Sequence, residues 1–276
     1  MALTPALALD RVSFAYGPIA ALTEVSFALA PGERAALLGR NGAGKSTVAR
    51  LIAGLLRPAA GTVWVGDWDT GHHPPEALAH RVGSLFQHAD QQLFGRTLAD
   101  DVRFGPRALG LPPPEVERRA AAALAALDLD PLAGEHPYDL APALRKLAAL
   151  AGTLALEPSL LVLDEPTAGL DRELRARVVR ALLARASVGV ALLVITHDLT
   201  FAAEALERGL VLDAGRLSGD APLAELLVAP SRLEPVGLLP PPIAALATAL
   251  ALPGRPVREA DARRVLARVA HVRPSA

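Results

Sequence analysis

The sequence predicts an α/β fold with a parallel-sheet core, an antiparallel β part ahead of it and a helical part inserted within it. Two early segments, "RVSFAYG" and "TEVSFAL", alternate apolar and polar residues, the period-two signature of half-buried strands. Three later runs, "ERAALLG", "SLLVLD" and "ALLVIT", are almost continuously apolar, as strands covered on both faces must be. Helix-forming segments alternate with those runs, which is the arrangement that wraps helices onto a parallel sheet.

In chain order, the alternating segments at residues 11–17 and 23–29 form the antiparallel piece. The strand at residues 33–39 runs directly into "RNGAGKST", and a helix follows as far as Gly54. "GTVWVG" and "RVGSLF" read as further strands. Residues 88–157 are helical in character: Thr97 and Asp100 make a capped start, and Pro112 to Pro114 precede an alanine-rich helix over residues 115–127. The buried strand at 159–164, a helix near 172–186, the strand at 191–196, a helix from about Asp198 and the strand "GLVLDAGR" complete a main domain of residues 1–220. Prolines punctuate residues 221–276, which read as a small helical C-terminal appendage.

Composition narrows the function. The chain has 276 residues, 51% of them hydrophobic, and its mean hydropathy is +0.31. Alanine supplies much of that figure and favours helix more than it drives burial. No apolar run is long enough to span a bilayer, and "MALTPALALD" lacks a charged region followed by an apolar one, so neither a membrane span nor a signal peptide is expected. A net charge of -1 gives no electrostatic case for nucleic acid or an anionic lipid surface. With no cysteine, disulfide and thiolate chemistry are excluded, which fits a reducing cytoplasm. The only lysines are Lys45 and Lys146.

The first of them closes "GRNGAGKST": Gly39, Arg40, Asn41, Gly42, Ala43, Gly44, Lys45, Ser46 and Thr47. This is G-x-x-x-x-G-K-[ST] between a strand and a helix, the context a phosphate loop needs. Its glycines let backbone N–H groups curl around phosphate oxygens, and the helix N-terminus adds partial positive charge. Lys45 would bridge the outer phosphates and the Ser46 hydroxyl would meet Mg²⁺. A second element, "LLVLDEP", ends a buried strand in two acids. Alone, such a pair is more often a strand end. Downstream of a phosphate loop it places Asp164 beside the metal, through water, and Glu165 where it polarises the attacking water. His197 in "VITHD" closes another strand and can reach bound phosphate, although a lone histidine is usually structural. His72, His73, His80, His88, His136 and His271 lack metal-ligand spacing and read as loop or surface residues. Tyr16 suits an adenine-stacking platform, with core packing as the plainer alternative.

Together these segments resemble the ABC-type ATPases, a P-loop NTPase family, over nearly the whole chain. The family's order appears as Tyr16 (adenine contact), Gly39 to Thr47 (Walker A), Gln87 in "SLFQ" (Q-loop), Leu160 to Glu165 (Walker B), "AGLD" ending at Asp171 (D-loop) and His197 (switch histidine). The resemblance implies an ABC-type nucleotide-binding domain using ATP and Mg²⁺, with Gln87, Glu165 and His197 catalytic and Ser46, Gln87 and Asp164 around the metal. "FQHADQQLFGRTLADDVRFGPRALGL", "LAGTLALEPSLLVLDEPTAGLD" and "GLLPPPIAALATALALPGR" are similar to the subgroup of energy-coupling-factor importers for cobalt, nickel or vitamins. His88 and Ala89 depart from it, standing where Asn and Pro are usual. The subgroup implies a peripheral subunit on the cytoplasmic face of the cell membrane. Its partners would be a second ABC ATPase, an energy-coupling transmembrane protein and a substrate-binding membrane subunit, with no nucleic acid. The subunit of another importer class and a soluble, non-transport ABC ATPase are the alternatives.

One motif departs further. In "YDLAPALRK" the family's "LSGGQ" signature falls on Leu140, Ala141, Pro142, Ala143 and Leu144. Ala141 has no hydroxyl to donate, and Pro142 has no N–H, yet proline suits the first turn of a helix. Arg145 or Lys146 could supply positive charge near that helix start. In the head-to-tail sandwich the family implies, each signature serves the partner's nucleotide. A heterodimer with a chain bearing a full signature is therefore expected, with a homodimer as the alternative.

Overall fold

The computed structural model describes residues 4–88 and 93–271, with side chains as far as 268. Ala89 and the rest of residues 89–92 lie outside the described residues. An antiparallel hairpin opens the chain: β1 (Leu7–Tyr16) and β2 (Ile19–Leu29). After β3 (Arg34–Leu38) and α1 (Lys45–Ile52), β4 (Ala60–Val65) and the short β5 (Trp68–Asp69) join the hairpin in a sheet of order β2-β1-β4-β5. Both opening strands are longer than the alternating segments announce, because Gly17 and Pro18 turn the chain only after Tyr16.

The second sheet contains β3, β6 (Val82–Leu85), β7 (Leu160–Asp164), β8 (Ala191–Ile195), β9 (Arg208–Asp213) and β10 (Arg216–Pro222), in the order β10-β9-β3-β8-β7-β6. All of its pairings are parallel except β9 with β10. Its central strands feed two cores. Leu37, Leu160, Val162, Leu193 and Ile195 pack with Val25, Leu29, Val48 and Ile52 under the antiparallel sheet. Their neighbours Ala36, Leu38, Leu161, Leu163, Leu192 and Val194 pack against the helices on the other face. Successive strand side chains point to opposite faces, so two cores require an uninterrupted apolar run.

Those helices are α3 (Leu98–Ala108), α4 (Pro113–Ala126) and α5 (Pro142–Ala155), inserted between β6 and β7, then α6 (Arg172–Ser187) and α7 (Leu199–Ala205). A short α2 (Pro75–Leu78) precedes β6. Side-chain caps fix three starts: Thr97 Oγ1 accepts from Asp100 N–H (3.2 Å), Asp171 Oδ1 from Leu174 N–H (2.9 Å) and Asp198 Oδ1 from Phe201 N–H (3.0 Å). Each cap is worth about 1 kcal/mol. Pro113 and Pro114 lie inside the first turn of α4, where a missing N–H costs nothing, rather than ahead of it.

One reading is corrected at the C-terminal side. "GLVLDAGR" is not one strand: Ala214 and Gly215 have positive φ and turn β9 back into β10. Beyond β10, which runs to Pro222, the described residues form α8 (Leu223–Leu227), α9 (Pro230–Leu233), α10 (Pro242–Ala249) and α11 (Glu259–His271). Leu223, Leu226, Leu227 and Leu233 also enter the main core, so this segment is packed into the sheet domain. Among the described residues, no helix is long and apolar enough to cross a membrane.

Candidate functional site

The register of three parallel strands builds the site. Leu37 pairs with Ile195, and Ile195 with Asp164, so β3, β8 and β7 end level with one another. The chain leaving each carboxyl end therefore enters one space: the loop into α1, the pair Thr196–His197, and Glu165. This is where an open parallel sheet presents groups to a ligand. The result is a cleft of about 720 Å³ lined by the described residues Tyr16, Asn41, Gly42, Gly44 to Thr47, Gln87, Asp164, Glu165 and His197, among others.

Gly44, at φ 104°, turns the loop into α1 in a conformation that favours glycine. The first turn of α1 carries no acid to oppose an anion at its N-terminus. Lys45 is 7% exposed, and its ammonium donates to the carbonyls of Gly39 (2.7 Å) and Arg40 (2.8 Å). Ser46 Oγ donates to Asp164 Oδ2 at 2.9 Å. Glu165 has φ 51°, and its N–H donates to Ile195 O at 2.8 Å. That turn aims its carboxylate back at β8, where Oε1 accepts the His197 N–H (2.9 Å) and Oε2 the Thr196 hydroxyl (3.3 Å). His197 Nε2 stands 3.7 Å from Oε1.

Burial sets the charges. It pushes the Asp164 and Glu165 carboxyls above their ordinary values, with the Ser46 hydroxyl and the donors at His197 and Thr196 opposing it. Burial pushes Lys45 down, against the attraction of the two acids. His197 is lowered by burial and then by the Lys45 charge, which favours its neutral form near pH 7.

Not every residue singled out in the sequence faces the cleft. Ala43 is buried in the core under the antiparallel sheet. Arg40 turns away toward the C-terminal segment, where a β-carbon added at Gly237 would lie 3.3 Å from its Cγ. Tyr16 does border the cleft; it is 43% exposed, packed edge-on to Phe14 at 4.9 Å, and its hydroxyl accepts from Arg50. Asp171 caps α6. Leu140 and Ala141 precede α5, which begins at Pro142 as the fixed φ of proline favours. Pro142 and Ala143 line an adjoining recess of about 300 Å³ that shares Gln87, Glu165 and Ala168 with the cleft, and Leu144 packs against the helical core. The two nearby cations differ in what holds them. Arg145 lies over the Tyr138 ring, and Lys146 bonds the carbonyl of Ala168. Thr196 was missed in the sequence, although its place between a buried strand and His197 marks it.

Comparison with known proteins gives the family of the chain. Residues 22–168 match the family described as ABC transporter. The chain is 38% identical over 248 residues to the cobalt import ATP-binding protein CbiO of Rhodobacter capsulatus, covering 89% of each. It is 39% identical over 233 residues to the energy-coupling factor transporter ATP-binding protein EcfA2 of Symbiobacterium thermophilum, covering 83% of this chain and 81% of that one. It spans only 37% of a putative ABC transporter ATP-binding protein of Methanosarcina acetivorans, to which it is 38% identical. Among solved structures, CbiO1 of Clostridium perfringens, part of the complex CbiONQ, superposes with a TM-score of 0.73 at 29% identity, covering 81% of this chain and 90% of that one. The chain belongs to the ABC transporter family, as one of its ATP-binding subunits.

Proposed function

We propose that this chain is the ATP-hydrolysing subunit of an energy-coupling-factor-type importer, driving uptake of a vitamin or of cobalt or nickel ions. The observation that carries the proposal is the convergence of Lys45, the Ser46–Asp164 pair and the Glu165–His197 pair on one cleft. The relatives named for cobalt import and for energy coupling support the transport class.

The residues suit Mg²⁺–ATP. Ser46 Oγ and Asp164 Oδ2 are hard oxygen donors already 2.9 Å apart. Two such donors, completed by waters and phosphate oxygens, are the set Mg²⁺ prefers over an all-protein cage. Bound there, the ion would offset charge on the phosphates. The backbone of residues 39–47 holds the triphosphate, Lys45 neutralises its outer groups, and Tyr16 supports the adenine. Glu165, held on two sides by Thr196 and His197, orients the attacking water, and Gln87 closes the same wall. His197 faces the reacting phosphate from the end of β8.

The assembly is proposed to be a heterodimer. Ala141 lacks the hydroxyl and Pro142 the N–H of a full signature, so two copies of this chain would make two weakened sites. Residues 1–220 act as the nucleotide-binding domain and 221–276 as a helical appendage whose first helices pack into that domain's core, the whole attached peripherally at the cytoplasmic face of the membrane through an energy-coupling transmembrane protein and a substrate-binding subunit. ATP turnover by this chain alone and with its cognate second ATPase, alongside identification of the subunits that co-purify with it, tests the proposal. Turnover that appears only with the second ATPase supports the heterodimer. Equal turnover by this chain alone refutes it, and co-purification without any membrane component refutes the importer.

A further inference from the structure

The second lysine of the chain has no place in the motifs, yet the fold carries it to the back of Glu165. Lys146 lies one helical turn beyond Pro142 on the same face of α5. Its ammonium donates to the carbonyl of Ala168 at 2.7 Å and approaches that of Glu165 at 3.4 Å. Those two residues are the ends of one turn, closed by the Ala168 N–H donating to Glu165 O at 3.3 Å. Lys146, Pro142, Ala143, Glu165 and Ala168 share the walls of the recess of about 300 Å³. Glu165 itself is held at φ 51°, a conformation that a side chain adopts only when its surroundings impose it. Its N–H is tied to β8 and its carboxylate to Thr196 and His197; on the carbonyl side, among the described residues, the side chain that bonds it from a helix is Lys146.

We propose that Lys146 is a positioning residue for the hydrolytic step. It fastens the left-handed turn that carries Glu165 to the first turns of α5, so that a displacement of the helix bearing Pro142 and Ala143 is passed to the carboxylate. This rests on the reading of Glu165 as the group that orients water. It gives α5 a role inside its own chain that does not depend on signature contacts. The link is charge-assisted and spans a helix and a loop, whereas a purely structural staple would stabilise both without regard to the carboxylate.

The test uses the full chain assembled with its second ATPase and compares Lys146→Met, which keeps the length and loses the charge, with Lys146→Arg. Lys146→Met is expected to lower kcat by about tenfold while KM for ATP stays within about twofold, because the carboxylate acts in the transition state and not in nucleotide binding. The unfolding midpoint should fall only by the few degrees that losing this partly exposed bond costs, and Lys146→Arg should restore most of the turnover. An undiminished kcat in Lys146→Met, or a loss matched by a larger fall in the unfolding midpoint that Lys146→Arg does not repair, overturns the proposal. The two readings fail differently. A wild-type assembly with no turnover, or one that Glu165→Gln leaves unimpaired, refutes the role of Glu165 and this inference with it. Normal wild-type turnover, abolished by Glu165→Gln and untouched by Lys146→Met, refutes this inference alone.

Discussion

Ser46 Oγ and Asp164 Oδ2 meet at 2.9 Å, joining the first turn of α1 to the last residue of β7. The contact fixes two hard oxygens side by side, and in the proposed function these are the groups that would hold the cation. Ser46→Ala removes one donor and frees the other to rotate. The Mg²⁺ concentration for half-maximal ATP turnover should then rise at least about tenfold, the usual range when a metal's supporting groups are lost. A Mg²⁺ titration of turnover checks this; an unchanged midpoint would place the cation elsewhere.

Glu165→Gln should separate activity from stability. Losing the carboxylate is expected to cut turnover by about 10²–10⁴-fold with ATP binding retained. The stability effect runs the other way. Burial raises the Glu165 carboxyl above its ordinary 4.5, so the folded chain binds the proton more readily than the unfolded chain between that value and the raised one. Stability contributed by this group therefore falls as pH climbs through that window and stays lower above it. The glutamine variant avoids the loss. Its unfolding midpoint should exceed that of the wild type near neutral pH, and the gap should close below about 4.5. Thermal unfolding across pH checks both halves.

Much of this site was legible because its parts are local. A glycine-spaced loop after a buried strand, or two acids ending an apolar run, carries its meaning within a few residues of Lys45 or Asp164. The continuously apolar strands announced two covered faces before the two cores were seen. What the sequence hid depends on pairings between distant segments. The β9–β10 hairpin looked like one strand because the turn at Ala214 and Gly215 lacks strong turn chemistry. Thr196, Lys146 and the approach of Arg40 to Gly237 act through side chains whose targets lie far off in the chain. The burial of Leu223, Leu226 and Leu227 in the main core was equally invisible, since a proline-punctuated tail gives no sign of what it packs against.

Two glycines of the phosphate loop should respond differently to the same change. A β-carbon at Gly39 would sit 2.1 Å from the backbone oxygen of Leu212, at φ 147°. Relief requires moving β9, so Gly39→Ala should destabilise the fold by about 3 kcal/mol or more. Gly42 has φ 81° but nothing within 4 Å of the added carbon. Gly42→Ala should cost only the backbone strain, about 1–2 kcal/mol. Urea unfolding of the two variants gives the comparison. Equal losses would mean that conformation alone, and not the press of β9, holds Gly39.

The replaced signature makes the final prediction, because it too should move activity and stability in opposite directions. Ala141→Ser with Pro142→Gly and Ala143→Gly returns a hydroxyl and a backbone N–H to the start of α5. The same change removes a proline whose fixed φ favours the first turn there and adds two flexible residues, which should cost roughly 1–2 kcal/mol of stability. If missing donors limit the site, the triple variant alone should hydrolyse ATP at least about tenfold faster than the unaltered chain alone, since each charge-assisted hydrogen bond is worth about 1.5–3 kcal/mol. Its advantage should shrink once the second ATPase is present and supplies a full signature to this chain's cleft. A variant that is less stable and no faster alone would mean that Leu140 to Leu144 do not limit hydrolysis, and the case for an obligatory second ATPase would lose its physical basis.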